Sequence, residues 1–248
     1  MLAAIHDDHT RRLIRTVGCA PDAIVLDAGA GTGSISLFVA TELLGPQAGG
    51  RVDALDVDPQ HLPQHERIRV RAENIVTADL GDGVYDLIHA RLLLMDLPER
   101  DDVLARMVRA LQPGGRLIIS DWDCQNSHRL LQTDNPAATR AFAVHQQALA
   151  RHAVATGRAP GWAATISSAL LRHRLQLITS AIHVPGWTGC HPGLQWYHHV
   201  SLQQQEMLLT TGVNHQQLDL LRGALADPRT VGYCYPLYTA VGVQGAAS

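Results

Sequence analysis

An aspartate followed by three glycines at alternate positions forms the part of this sequence best suited to bind a ligand. An apolar run ends at Asp27, and Gly29, Gly31 and Gly33 precede a helix-forming stretch that begins at Ser34. A strand that passes through a glycine turn into a helix N-terminus lets a ligand lie against bare backbone. The dinucleotide fingerprint needs glycine where Ser34 stands, and Asp27 would repel a diphosphate. The pattern therefore favours a cationic ligand that carries an amino group.

A second pair of acids, Asp56 and Asp58, stands at the end of the next predicted strand, residues 51–57. A carboxylate at the tip of this strand is placed to accept hydrogen bonds from both ribose hydroxyls of an adenosine. Asp58 precedes Pro59, so we expect its side chain to cap a short helix instead. Asp56 is therefore the candidate for binding a ribose.

Hydrophobic periodicity and turn residues predict strands that alternate with helices. The predicted helices cover residues 3–17, 34–44, 100–111, 136–156 and 161–173, and residues 192–226 are mostly helical. The predicted strands one to seven cover residues 23–28, 51–57, 68–74, 85–90, 116–121, 175–184 and 231–243. The alternation through strand five predicts an α/β fold with a parallel, doubly wound sheet and a ligand at the C-terminal edge of its strands.

The composition of the 248 residues excludes several kinds of chemistry. The net charge is −3 without a dense basic run, which argues against a nucleic-acid partner. All 20 basic residues are arginine, so a phosphate-binding lysine, a pyridoxal Schiff base and a lysine base are excluded. The scattered cysteines, an acidic N-terminus and the lack of a long apolar run predict a cytoplasmic protein with no membrane partner.

The stretch from Val25 to Gly33 resembles motif I of the class I S-adenosylmethionine-dependent methyltransferases, whose cofactor carries an ammonium and a sulfonium but no phosphate. The segments His89-Ala90-Arg91, Leu97-Pro98 and Pro113-Gly114-Gly115 follow in the order found in small-molecule members of the actinobacterial natural-product type. The resemblance covers residues 5–123. It implies one Rossmann-like domain over residues 1–248, with a seven-stranded, mostly parallel sheet. Helical insertions, about 124–160 and 187–229, are expected after strand five and between strands six and seven.

The resemblance implies S-adenosyl-L-methionine as cofactor and S-adenosyl-L-homocysteine as product. Asp56 would bind the ribose, and Val57 would lie against the adenine. Asn74 stands where the family has an acid that accepts from the adenine amino group. Its carbonyl can accept this bond, although Asn74 could instead be a turn residue. The complete set of expected cofactor residues is Asp27, Gly29, Ala30, Gly31, Gly33, Asp56, Val57, Asn74, Ile75, Ala90 and Arg91.

The C-terminal half is expected to cover the methyl acceptor. All four tryptophans and most of the tyrosines and histidines lie beyond residue 120. An aromatic cover suits a planar or apolar small molecule, although the same residues could simply form the core of the added helices. We expect Met95, Trp122, Trp196 and His199 to line the acceptor pocket.

Three histidines are candidates for a general base, should the acceptor need to lose a proton. His145 and His152 share one face of the predicted helix 136–156, and His198 lies in a second cluster with Cys190 and His191. All three could instead be core or rim residues. Adjacent histidines on a helix point about 100° apart, so we predict no metal site in the second cluster.

Several methyltransferase classes do not fit. The sequence lacks the Asn/Asp-Pro-Pro-aromatic motif of nucleic-acid amino-methyltransferases and the Pro-Cys nucleophile of cytosine-ring enzymes. Asp121 and Asp123 could supply the acid pair of catechol-type metal enzymes, but the acid after strand four is missing. We therefore predict methyl transfer to an O, N or C atom of a small, aromatic or natural-product-like metabolite of secondary metabolism. A homodimer is the assembly that we consider for this protein. A peptide or protein methyltransferase and a cofactor-binding protein with a non-methylating reaction remain alternatives.

Overall fold

The computed structural model describes residues 2–45, 49–125, 127 and 131–245. Its strands are β1 (Ile24–Ala28), β2 (Arg51–Asp56), β3 (Ile68–Ala72), β4 (Tyr85–Arg91), β5 (Leu111–Trp122), β6 (Leu131–Gln132), β7 (Gln176–His183), β8 (Gly186–Thr188), β9 (Val231–Tyr233) and β10 (Leu237–Val243). The predicted domain 1–248 and insertion 124–160 include residues that lie outside this description.

The helices are α1 (Leu2–Val17), α2 (Ser34–Phe38), α3 (Arg100–Ala110), α4 (Pro136–Ala155), α5 (Ile166–Arg172), α6 (Pro192–Gln203), α7 (Gln205–Thr210) and α8 (His215–Ala226). A π-helical turn, Val39–Leu43, continues α2, and short 3₁₀ turns cover Pro59–His61, Leu94–Asp96 and Trp162–Thr165. Within the described residues, no helix has both the length and the apolar character needed to cross a membrane.

The main sheet has seven strands in the order β3-β2-β1-β4-β5-β10-β7. Among these described strands, β10 runs antiparallel to its neighbours β5 and β7, and the other pairs are parallel. The predicted seven-stranded, mostly parallel, doubly wound sheet is therefore confirmed. Because β1, β2, β4 and β5 are parallel, their C-terminal ends meet at one edge of the sheet.

Helices cover both faces of this sheet. On one face, Ile14 of α1 and Phe38 of α2 pack on Val25 and Leu87 of the sheet. On the other face, Leu104 and Met107 of α3 and Leu170 of α5 pack on the opposite side chains of the same strands. Each fully buried side chain of this kind contributes about 1.5–3 kcal/mol to folding. The central strands are thus fixed from both sides, and the residues at their ends are held in place.

The second half of the chain differs from the prediction in three respects. The predicted strand seven, residues 231–243, is two strands, β9 and β10, separated at Pro236, which has no N–H to donate to a sheet. β9 pairs with β6 and β8 in a small three-stranded sheet that the sequence did not indicate. The predicted helical stretch 192–226 is divided into α6, α7 and α8. Together these elements build a cover above the C-terminal edge of the main sheet.

Candidate functional site

A cavity of about 510 Å³ lies at the C-terminal edge of the main sheet, beside the loop that joins β1 to α2. Its walls include residues from α1, from the ends of β1, β2 and β4, and from α6. The predicted cofactor residues that line it are Asp27, Gly29, Ala30, Gly31, Asp56 and Arg91. We call it the loop cavity. It lies at the place where parallel α/β sheets bind their ligands.

Glycine is needed at different positions of the β1–α2 loop for different structural reasons. Gly29, Gly31 and Gly33 all have φ between 58° and 68°, which few side chains adopt without strain. A Cβ atom on Gly33 would lie 2.2 Å from Cδ of Pro63, so glycine is required there by packing. A Cβ atom on Gly31 would meet no protein atom within 4 Å and would instead occupy the open loop cavity. Gly31 therefore keeps free the space that a ligand would fill.

Asp56 is held at the mouth of the loop cavity by two backbone N–H groups. Its Oδ2 accepts from the N–H of Gly31 at 2.7 Å, and its Oδ1 accepts from the N–H of Asp58 at 3.0 Å. The Asp58 side chain caps the 3₁₀ turn by accepting from both nitrogens of Gln60, which confirms its predicted capping role. The carboxylate of Asp56 thus joins the end of β2 to the glycine loop.

Asp27 and His89 form a buried pair on the floor of the loop cavity. His89 Nδ1 lies 2.8 Å from Asp27 Oδ1, and the hydroxyl of Ser36 donates to Asp27 Oδ2 at 2.6 Å. Burial opposes ionisation of Asp27, but the hydrogen bonds and charges of its neighbours outweigh it and lower the pKa of Asp27. The carboxylate therefore provides a fixed negative charge beneath the cavity.

His89 was not predicted as a site residue. The two residues are register partners on the adjacent parallel strands β1 and β4, so a strand alignment would have placed His89 beside Asp27. In the described structure its Nε2 atom is buried without a hydrogen-bond partner.

Arg91 connects the loop cavity to the N-terminal helix. Its guanidinium donates to Asp7 Oδ1 and to Thr10 Oγ1, both at 2.8 Å. Leu2 and Ala3, in the first turn of the same helix, line the cavity. Arg91 therefore anchors α1 as one wall of the loop cavity.

A second cavity of about 270 Å³ adjoins the first. Leu2, Leu92 and Trp196 line both cavities, so these side chains form the boundary between them. We call the second one the aromatic cavity, since Trp122, Trp196 and Tyr235 pack edge to face in its wall, with ring centroids 4.9–5.5 Å apart. Asp96 and Arg158 also line this cavity and form an ion pair, with 3.5 Å between Asp96 Oδ1 and Arg158 Nε.

The predicted acceptor residues divide between the two cavities. Met95, Trp122 and Trp196 line the aromatic cavity. His199 instead lines the loop cavity, together with Trp196. Gln146 and Tyr235 add polar groups to the aromatic cavity, and the Tyr235 hydroxyl donates to the side-chain carbonyl of Gln146.

The three candidate bases lie in different surroundings. His152 lines the aromatic cavity near the C-terminal end of α4. His145 is fully buried next to Gln146 and is not among the described lining residues of either cavity. Burial, together with the charge of Arg222, lowers the pKa of His145 to about 4. His198 is half-buried and also lies outside the described lining of both cavities. Among the residues described, no three or more His, Cys, Asp or Glu side chains are grouped to hold a metal ion.

The other predicted cofactor residues lie around the loop cavity rather than in its described lining. Val57 is 69 % exposed directly after Asp56, and Ala90 and Ile75 are buried. Asn74 Oδ1 accepts from the N–H of Val76 at 2.9 Å, as a turn residue would. Gly33 forms the last turn of the loop before α2.

Residues 26–117 match the family described as methyltransferase domain. Methyltransferase GfsG of Streptomyces halstedii is 31% identical over 131 residues, which cover 48% of this chain and 45% of that protein. Nocamycin O-methyltransferase of Saccharothrix syringae is 33% identical over 116 residues, covering 43% of this chain and 40% of that one. The matches thus span less than half the length of these curated relatives.

The fold is also similar to that of a solved methyltransferase. Phosphoethanolamine N-methyltransferase 2 of Haemonchus contortus, in complex with phosphomonomethylethanolamine and S-adenosylhomocysteine, superposes with a TM-score of 0.55 at 16% identity. The superposition covers 97% of this chain and 53% of that one. Residues 26–117 thus resemble a methyltransferase domain in sequence, and the seven-stranded topology is the Rossmann-like fold of the class I S-adenosylmethionine-dependent methyltransferases.

Proposed function

We propose that this chain transfers a methyl group from S-adenosylmethionine to an oxygen, nitrogen or carbon atom of a small, apolar or aromatic molecule. The observation that carries the proposal is the pair of adjoining cavities with Leu2, Leu92 and Trp196 as their common boundary. One cavity combines a glycine loop with two carboxylates, and the other is mostly apolar and aromatic. The resemblance to a nocamycin O-methyltransferase supports a natural product of secondary metabolism as acceptor.

The charges and the exposed apolar surface at the loop cavity support the proposed cofactor. The Asp56 carboxylate can accept from ribose hydroxyls, and the exposed Val57 beside it offers an apolar surface to the adenine. Asp27 places a negative charge under the cavity, which suits an ammonium. We assign the remaining predicted positions, Asn74, Ile75 and Ala90, to the structure that surrounds the same site.

S-adenosylmethionine supplies an already activated methyl group when it is bound, so the protein mainly has to align the acceptor and exclude water. The boundary side chains Leu92 and Trp196 would contact both molecules. The aromatic wall would hold a planar acceptor with its reacting atom toward the loop cavity. His152 is the candidate base that lines the aromatic cavity, and it would remove a proton from a hydroxyl or amine acceptor.

Replacement of Asp56 by alanine is expected to weaken binding of S-adenosylhomocysteine roughly 10- to 100-fold, because hydrogen bonds to a carboxylate are worth about 1.5–3 kcal/mol. Titration calorimetry with S-adenosylhomocysteine measures this effect. Asp58→Ala is the matched control, since Asp58 caps the neighbouring turn and should leave the affinity unchanged. Equal affinities for the Asp56→Ala variant and the wild type would remove the ribose assignment.

The same calorimetry tests the proposed cofactor. We expect the wild-type protein to bind S-adenosylhomocysteine and not NAD, because Asp27 disfavours a diphosphate and Ser34 replaces the third glycine of a dinucleotide site. Binding of NAD without binding of S-adenosylhomocysteine would overturn the proposal.

A further inference from the structure

The segment from Leu92 to Asp96, which follows β4, separates the two cavities. Leu92 lines both, Leu93 lines the loop cavity, and Met95 and Asp96 line the aromatic cavity. A displacement of this segment would therefore change both cavities at once. We call it the partition segment.

The partition segment begins with a strained residue. Leu92 has φ of 54°, in the left-handed region that leucine rarely adopts. Its N–H donates to the carbonyl of Ser120 on β5 at 2.8 Å. A residue keeps such a conformation only where its surroundings hold the backbone on both sides.

A buried carboxylate supplies much of this support. Asp121, near the end of β5, is 1 % exposed, and its two oxygens accept from two N–H groups of the partition segment. Oδ1 accepts from Leu93 and Oδ2 accepts from Met95, both at 3.1 Å. From the other side, Arg100 Nε donates to the carbonyl of Leu94 at 3.3 Å. The segment is thus fixed by side chains from β5 and from α3.

We propose that Asp121 is a positioning residue whose carboxylate holds the partition segment in place and so sets the geometry of both cavities together. The effect of Asp121 on methyl transfer rests on the proposed function, whereas its effect on the partition segment does not. Because Leu92 and Leu93 both line the loop cavity, release of the segment should weaken cofactor binding as well as acceptor alignment.

The surroundings of Asp121 make this support sensitive to protonation. Burial raises the pKa of Asp121 to about 8, the charge of Asp96 acts in the same direction, and the N–H groups of the segment oppose both. Asp123 and Cys124 follow on the same chain, and Tyr238 is the register partner on β10. A protonated carboxyl group turns one oxygen into a donor and can no longer accept from both N–H groups. The support is therefore complete above the pKa of Asp121 and is weakened as the pH falls below it.

The test compares two matched substitutions by amide hydrogen exchange and by calorimetry with S-adenosylhomocysteine. Both quantities are measured above the pKa of Asp121, where the wild-type side chain is a carboxylate. In Asp121→Asn, the amide NH₂ would face one of the two N–H groups, so exchange at Leu93 or Met95 should accelerate and affinity should fall, each about tenfold. Asp123→Asn is the control: Asp123 is also buried, but its carboxylate accepts from Gln125. This control should leave both quantities unchanged.

Unchanged exchange at Leu93 and Met95 in Asp121→Asn, or equal acceleration in both variants, would overturn the proposal. If Asp121→Asn does not fold, the wild-type protein gives the answer by amide NMR. The Leu93 and Met95 signals should then titrate with one shared midpoint, and the absence of a shared midpoint would contradict a common carboxylate. A wild-type protein that shows this titration but does not bind S-adenosylhomocysteine would refute the proposed function and leave the role of Asp121 in place.

Discussion

Gly31→Ala is expected to weaken S-adenosylhomocysteine binding by at least about 100-fold while the protein stays folded. The new methyl group would meet no protein atom within 4 Å, so it would not disturb the packing. It would occupy the loop cavity against which the cofactor is proposed to lie. The positive φ of 58° adds a strain of roughly 1 kcal/mol to the folded state. Calorimetry measures the affinity, and thermal unfolding measures the strain.

The Gly18→Ala variant distinguishes the effect of backbone strain from the effect of filling the loop cavity. Gly18 follows the last turn of α1 with φ of 86°, and a Cβ atom there would also meet nothing within 4 Å. It lies outside the described lining of the loop cavity. Both variants should lose similar stability, and Gly31→Ala alone should lose affinity. Equal affinities for the two variants would mean that the cofactor does not lie against Gly31.

His152→Ala is expected to lower turnover about 100-fold, within the usual range for loss of a general base, while the affinity for S-adenosylhomocysteine stays unchanged. His152 lines the aromatic cavity and is absent from the described lining of the loop cavity, so its removal should affect chemistry and not cofactor binding. Single-turnover transfer of labelled methyl to the acceptor measures the rate.

His198→Ala is the control for this prediction, since His198 is half-buried and lies outside both linings. His145→Ala should instead destabilise the fold, because His145 is fully buried beside Gln146. Turnover equal to wild type in His152→Ala would eliminate His152 as the base and favour an acceptor that needs no deprotonation.

The first half of the fold could be predicted because its signals are local. An apolar strand, a glycine turn and an amphipathic helix each leave a pattern over six or more residues. The sheet order itself came from the family resemblance, since periodicity gives only the order along the chain. The start of β5 was predicted five residues late because Pro113-Gly114-Gly115, which usually ends an element, lies inside the strand.

The cover over the sheet was harder to predict. β6, β8 and β9 are two or three residues long, which is too short for an alternating pattern to show. Their pairing depends on residues far apart in the chain, such as Leu131 opposite Gly232. Pro236 was the local signal that the predicted strand seven would be divided, because proline cannot donate to a sheet.

The two histidines of α4 show that structure within the site also depends on residues far apart in the chain. They are seven residues apart and share a helix face, as the sequence predicts. Seven residues also separate them by roughly 10 Å along the helix axis. The tertiary packing therefore buries His145 while His152 reaches the aromatic cavity. Which part of a helix face meets a cavity depends on where the other elements end, and this information is not local.

The most direct test of the central claim is transfer of radiolabelled methyl from S-adenosylmethionine into a size-fractionated extract of the cells that make this protein. The predicted result is label in the small-molecule fraction with the wild-type protein and no label there with the Gly31→Ala variant. Mass spectrometry of the labelled peak would then identify the acceptor. Label in the protein fraction would contradict a small-molecule acceptor. No transfer to any fraction by a protein that binds S-adenosylhomocysteine would contradict methyl transfer and favour a non-methylating reaction in the same cavities.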